Sequence, residues 1–229
     1  SGDRFQDIPL QGQSQMGFFT KEIENQLLSR EVDLAVHSLK DLPTQPHPEL
    51  ELAAFLPRDA VSDILVIHPD WHDPSRIVPV KEGCKVGATS LRRQALLRLY
   101  GPHAEPTMLR GNVPTRVEKL RDGQYGAIIV ARAGVERLDM DLYPLIVYRL
   151  APEIWLPAPG QGVIVVQARY DNEELLPAIR KLDHERSRHG VTIERKLLSN
   201  FEGGCHTAFG AYAQPSPTPG QWNARIGLE

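Results

Sequence analysis

The sequence predicts an α/β fold, with two units of alternating strands and helices, mainly parallel in their pairing, and a smaller mixed unit at the C-terminal end. Three observations carry this. Short apolar runs alternate with amphipathic stretches from Asp33 to Ala168. Several of those runs break into polar and charged residues at their C-terminal ends, where open α/β sheets bind ligands. A long polar helical pattern from Glu185 to Ser199 is followed by two further apolar runs. At 229 residues the chain is long enough for two or three compact units.

Each element follows from local pattern. Residues 5 to 17, rich in glutamine and glycine, predict a mobile loop. Thr20 is the expected cap of a helix with Ile23, Leu27 and Leu28 on one face. Strands are expected at Asp33 to His37, Glu49 to Phe55, Ile64 to Ile67 and Lys85 to Ala88. A helix over Leu91 to Tyr100 leads to a strand at Thr107 to Leu109, then to a helix from Thr115 to Arg121 that stops at Gly123. Ala127 to Val130 and Leu145 to Arg149 complete the second unit, and Ala158-Pro159-Gly160-Gln161-Gly162 turns into the apolar strand Val163 to Ala168. The Glu185 to Ser199 helix opens the third unit, with strands near Ala208 to Ala213 and Trp222 to Ile226.

Composition excludes some functions. No run approaches the roughly 20 apolar residues of a membrane helix. A formal charge of −3 argues against a nucleic-acid surface. Of 26 basic residues 19 are arginine, whose planar fork grips carboxylates in pairs of hydrogen bonds. A GC-rich genome yields the same skew, so location decides, and Arg92, Arg93, Arg110 and Arg116 sit at strand-to-helix junctions. Two cysteines and no CxxC pair give no disulfide framework and point to a reducing compartment. Cys84 precedes a strand and is expected to be inert. No metal site is expected: Pro69 breaks the helix that would align His68 with His72, and His184 and His189 lie on a charged, solvated stretch.

Four segments concentrate chemistry. Asp33 to Pro43 is a strand ending in Ser38, Lys40 and Asp41; on this evidence Asp41 is as readily a turn cap as a catalytic carboxylate. Val86 to Gln94 runs from a strand end through Thr89 and Ser90 to a helix opening with two arginines, a pattern suited to anions. Leu109 to Arg116 repeats the junction with an arginine on each side. Finally, Glu202-Gly203-Gly204-Cys205 places a cysteine on a double-glycine turn. Alone, that favours a small buried filler over a reactive thiol.

Taken in order, HSLKDLP, GATSLRRQ, LRGNVPTR, LPAPGQG and FEGGC resemble the porphobilinogen deaminases, or hydroxymethylbilane synthases, over almost the whole chain. The resemblance implies two lobes like type II periplasmic binding proteins plus a smaller α+β C-terminal domain carrying the cofactor cysteine. It places domain 1 at residues 1–58 and 161–182, domain 2 at 62–155 and domain 3 at 184–229. It implies a cytoplasmic monomeric transferase that joins four porphobilinogen molecules into hydroxymethylbilane with release of ammonia. A dipyrromethane cofactor would be attached through Cys205. Asp41 would stabilise a cationic azafulvene and shuttle a proton. Lys40 and Ser38 would bind carboxylates or position Asp41. Arg92, Arg93, Arg110 and Arg116, helped by Thr89 and Ser90, would hold the acetate and propionate groups, with Arg137 and Arg169 as weaker candidates.

Two features depart from the family pattern. Gly12 and Met16 stand where many members have lysines, and Ala88 stands where a hydroxyl is usual. A non-catalytic bilobal anion- or solute-binding module would use the same strand-end arginines, and a degenerate homologue would explain the departures. The first residues, Ser1-Gly2-Asp3, lack an initiator methionine, and the last lie within a strand pattern. The chain is therefore expected to be an incomplete view of the enzyme, inactive without its upstream segment, with room for a targeting peptide further upstream.

Overall fold

The computed structural model describes residues 15–201 and 208–228. Of the loop expected over residues 5 to 17, the part before residue 15 lies outside the described residues, as does the expected cofactor cysteine, Cys205, while residues 15–17 are helical.

Helix α1 (Gln15–Leu28) begins earlier than its pattern suggested, so Thr20, 8% exposed, lies inside the helix and is not its cap. Leu27 is fully buried against Ala35 and Leu50, with Ile23 and Leu28 packed around them, as the apolar stripe required. Strand β1 (Leu34–Ser38) follows, then a 3-10 turn, Leu39–Asp41, and β2 (Leu50–Phe55). The chain leaves this sheet for a second one: β3 (Asp63–Ile67), β4 (Lys85–Gly87), α2 (Leu91–Tyr100), β5 (Glu105–Thr107), α3 (Val113–Arg121), β6 (Ala127–Ala131), α4 (Arg132–Arg137) and β7 (Ile146–Arg149). It returns through β8 (Ile164–Arg169) to the first sheet, then runs through α5 (Leu176–Ile179) to α6 (Glu185–Asn200) and the hairpin β9 (Phe209–Pro215) with β10 (Trp222–Leu228).

The expectation of mainly parallel pairing is corrected. The first sheet has order β1-β8-β2 with both pairs antiparallel. The second has order β5-β4-β6-β3-β7, parallel only between β4 and its neighbours β5 and β6. Its β3 runs antiparallel to both β6 and β7. The cause is the crossover: β3, the strand of entry, and β8, the strand of return, are each reversed and each lie between two neighbours.

All five residues of β3 are buried, and its sequence shows no alternation because both sheet faces are covered. One face packs Leu65, Ile67, Val86, Leu97 and Ile129; the other packs Ile64, Val66, Val117, Leu120 and Ile128. Helix α3 starts two residues before the expected Thr115, because the Asn112 side chain accepts the Thr115 N–H at 2.9 Å and Pro114 suits the first turn. Strand β5 ends at Thr107, two residues before the expected Leu109, which is fully buried. His184 is exposed, as expected, and also caps α6 by accepting the Ser187 N–H.

Candidate active site

Asp41 is held out by its neighbours. Leu39 and Leu42 are buried in a cluster with Phe55, Val163, Val165 and Val191, and the Leu39 N–H donates to the Val163 carbonyl at 3.0 Å. With those two side chains turned inward, Ser38, Lys40 and Asp41 are only half-buried. Arg195 of α6 braces the turn from outside, donating to the carbonyls of Leu39 at 3.3 Å and Leu42 at 3.1 Å and also to Pro43. Sequence reasoning missed Arg195, since nothing in a helical pattern marks one arginine as the partner of a turn about 150 residues earlier.

Among the described residues neither the Asp41 carboxylate nor the Lys40 ammonium makes a hydrogen bond or ion pair. Burial pushes the Asp41 carboxyl up, and Lys40, Arg93, Arg116 and His37 offset this only in part. Burial pushes the Lys40 ammonium down, with Asp41 opposing. Both groups are thus moved toward neutrality, the condition for a carboxyl that gives and takes a proton. A cavity of about 220 Å³ opens beside Asp41, with Asp41, His37, Ser38 and Thr20 on its wall.

The predicted arginines divide into two kinds. Arg92 and Arg93 are 4% and 6% exposed and both grip Asp63, the fully buried first residue of β3. Arg93 donates through Nε and Nη2 at 3.1 and 2.7 Å, and Arg92 through Nη2 at 2.9 Å. The Gln161 amide joins at 2.9 Å. Arg93 also reaches the Ile129 carbonyl and Arg92 that of Leu156. Arg92 Nε is buried with no partner. Neither residue is the exposed anion fork that its place at a helix start suggested. The signal missed was Asp63, whose charge in an otherwise apolar strand demands a buried partner.

Arg110 and Arg116 are different. Arg110 is exposed, and its guanidinium has no partner among the described residues. Arg116 donates Nε to the Gly111 carbonyl at 2.7 Å, and its other N–H groups have no described partner. The Gly111 φ of +116°, with Thr115 packed where a Cβ would go, makes the tight turn that sets Arg110 and Arg116 on either side of it. Thr89 donates its hydroxyl to the Leu109 carbonyl, tying this turn to the start of α2, whereas Ser38 and Ser90 form no side-chain cap. The weaker candidates are both engaged: Arg137 bonds Asp59 and the Gly162 carbonyl, and Arg169, 8% exposed at its side chain, bonds the carbonyls of Leu27 and Val32.

The lobes and the C-terminal unit meet at a second buried carboxylate. Glu194 of α6 is fully buried and takes two bonds from Arg58, at 2.8 and 3.0 Å, together with the backbone N–H groups of Gly160 and Ala213. Gly160 and Gly162 have φ of +79° and +88°, and a Cβ on either would strike Leu39 or the Asp59 carbonyl. This turn buries Gln161 and aims it at Asp63.

Cys84 is buried and free, and burial pushes its thiol up to about 12, leaving it unreactive. Among the described residues no cluster of His, Cys, Asp or Glu suits a metal ion, and no helix is long and apolar enough to cross a membrane.

The family model described as porphobilinogen deaminase, dipyromethane cofactor binding domain, matches residues 1–177. The probable porphobilinogen deaminase of Methanococcoides burtonii is 42% identical over 93% of this chain and 67% of its own length. The porphobilinogen deaminase of Roseiflexus sp. (strain RS-1) is 42% identical over 93% of this chain and 68% of its own. That of Helicobacter hepaticus is 39% identical over 99% of this chain and 69% of its own. The chain spans about two thirds of the length of the curated relatives it matches. Among solved structures it is similar to the periplasmic VFT2 domain of Bordetella pertussis BvgS, at 16% identity over 78% of this chain and 72% of that one, with a TM-score of 0.44.

Proposed function

The chain belongs to the porphobilinogen deaminase family, and we propose that it joins four porphobilinogen molecules into linear hydroxymethylbilane, with Asp41 as the acid–base group. The observation that carries this reading is the unpaired, half-buried Asp41 carboxyl, raised by burial and set among cations. Porphobilinogen leaves its amine as ammonia when the carbon–nitrogen bond breaks with its electron pair on nitrogen, and the methylene carbon becomes a cationic azafulvene. The Asp41 carboxylate, fixed nearby, offsets that charge. When the next pyrrole carbon attacks, it must lose its proton, and Asp41 takes it up and passes it to ammonia or water.

The residues present fit a bound group rich in carboxylates, because Lys40, Arg110 and Arg116 keep N–H groups that make no hydrogen bond or ion pair to a carboxylate among the described residues. The family's dipyrromethane cofactor, when bound, supplies the primer to which substrate units are added, and Cys205 would hold it by a thioether. Lys40 and Ser38 would meet substrate carboxylates beside Asp41, and Arg110 and Arg116, with Ser90, those on the opposite lobe. Arg92 and Arg93 contribute through the Asp63 frame, with Arg92 Nε as the donor left over. The free thiol of Cys84 supports a reducing, cytoplasmic setting, and we extend the reading to a monomer.

Intact-protein mass and porphobilinogen consumption test the reading together. The protein should carry the mass of two pyrrole units, consume porphobilinogen, and lose the added mass in Cys205→Ser, since a hydroxyl is a far poorer nucleophile than a thiolate. An adduct that survives in Cys205→Ser moves the anchor to Cys84. Neither adduct nor consumption would leave a bilobal anion-binding module.

A further inference from the structure

The cations around Asp41 suit the carboxylates of porphobilinogen, but the same charges repel its aminomethyl ammonium. That group needs acceptors, and the described structure gathers them on one side. His37, on β1, lines the same cavity as Asp41, and each feels the other's charge. Its Nε2 lies 3.0 Å from Gln167 Oε1, and Gln167 Nε2 donates to Glu24 Oε1 at 2.9 Å.

This chain has only one consistent direction. A carboxylate accepts and cannot donate, so Glu24 takes the amide N–H₂ of Gln167 and turns the amide oxygen to His37. An oxygen facing Nε2 requires that Nε2 carry the proton, so Nδ1 is left as a lone-pair acceptor. Gln167 is 1% exposed in the middle strand of its sheet and cannot turn away to water. Burial also holds His37 below its usual value, outweighing the raising effects of the Gln167 hydrogen bond and of Glu24 and Asp41, and so favours the neutral ring.

We propose that His37 binds the aminomethyl group of porphobilinogen, its Nδ1 accepting an ammonium N–H, with the Glu24–Gln167 relay fixing the tautomer that makes this possible. No proton moves to His37. As the carbon–nitrogen bond breaks, the nitrogen keeps the electron pair, departs as neutral ammonia, and the positive charge stays on the methylene carbon beside Asp41. A protonated ring would lack the lone pair and repel the cation. This inference rests on the reaction proposed above.

The test compares porphobilinogen with an analogue bearing hydroxymethyl in place of aminomethyl, which has no cation to bind. His37→Gln keeps reach toward Gln167 and loses the acceptor at Nδ1; His37→Asn keeps a polar atom near Nδ1 and loses that reach. With cofactor-loaded protein, His37→Gln should lower kcat/KM for porphobilinogen about 10- to 100-fold, the worth of one hydrogen bond to a charged group, while changing the analogue only a few-fold. His37→Asn should recover most of the discrimination. Equal losses on both substrates in both variants would make His37 a structural residue and overturn the inference. If the unsubstituted protein turns over neither substrate, the proposed reaction itself fails.

Discussion

Arg93 holds Asp63 through two of its nitrogens, Nε to Oδ2 at 3.1 Å and Nη2 to Oδ1 at 2.7 Å, with both residues buried beneath the start of helix α2. Arg92 completes the cluster from the preceding position. One carboxylate between two guanidinium groups leaves a net positive charge at a strand end, fixed in place before any anion arrives.

Asp63→Asn should therefore act first on stability. Breaking a buried pair from one side costs about 3–5 kcal/mol, because two guanidinium groups lose their counter-charge. Denaturant unfolding at neutral pH measures this, and a loss under 1 kcal/mol would mean that the cluster relaxes without strain.

The same cluster has a pH signature. Burial alone would raise the Asp63 carboxyl, but Arg92 and Arg93 outweigh it and hold the group well below the usual carboxylate range. A depressed folded value means that the stabilisation is fully present above the unfolded pKa of about 3.9, and is lost as pH falls from there toward the folded value. Unfolding free energy measured from pH 6 to pH 2.5 should fall less in Asp63→Asn than in the unsubstituted protein. Parallel curves would remove Asp63 from the acid response.

Arg195→Leu should separate positioning from chemistry. Its bonds to the carbonyls of Leu39, Leu42 and Pro43 carry the turn that presents Asp41. Losing them should lower kcat at least 10-fold with little change in KM, since small misplacement of a reacting group is costly. An unchanged kcat would show that the buried Leu39 and Leu42 suffice to hold the turn.

Arg110→Leu should do the converse. The side chain is exposed with no described partner, so stability should change by no more than about 0.5 kcal/mol. The variant should nonetheless raise KM for porphobilinogen or carry less covalent pyrrole, read by kinetics and intact mass. Unchanged values of both would leave Arg110 as surface charge.

Much of this was legible in the sequence, and the failures have common causes. The turn bearing Asp41 could be located because apolar residues alternate with polar ones where a strand ends. Arg110 and Arg116 could be placed at a strand-to-helix junction because Gly111 breaks the pattern between them, although the Asn112 cap that starts the helix was overlooked. Arg92 and Arg93 occupy an equally anion-like helix start, yet their partner lies 29 and 30 residues away on another strand. Pairing direction was misjudged because β3 and β8 read like the other buried strands, and only the route of the chain between sheets reverses them. Thr20 looked like a cap because Gly17 and the glutamine- and glycine-rich run before it read as loop. Glu194 gave no warning, since a glutamate on a charged helix is usually solvated and this one is fully buried.

Asp41 is central to the proposed reaction, and the decisive measurement is the turnover of Asp41→Asn loaded with cofactor. The amide keeps the shape of the side chain and removes its charge and basicity, so the variant should fold, retain the pyrrole mass and bind porphobilinogen. Ammonia release should fall by about 10² to 10⁴. A variant that releases ammonia within a few-fold of the unsubstituted protein, at equal cofactor loading, would reduce Asp41 to a turn residue and contradict the mechanism.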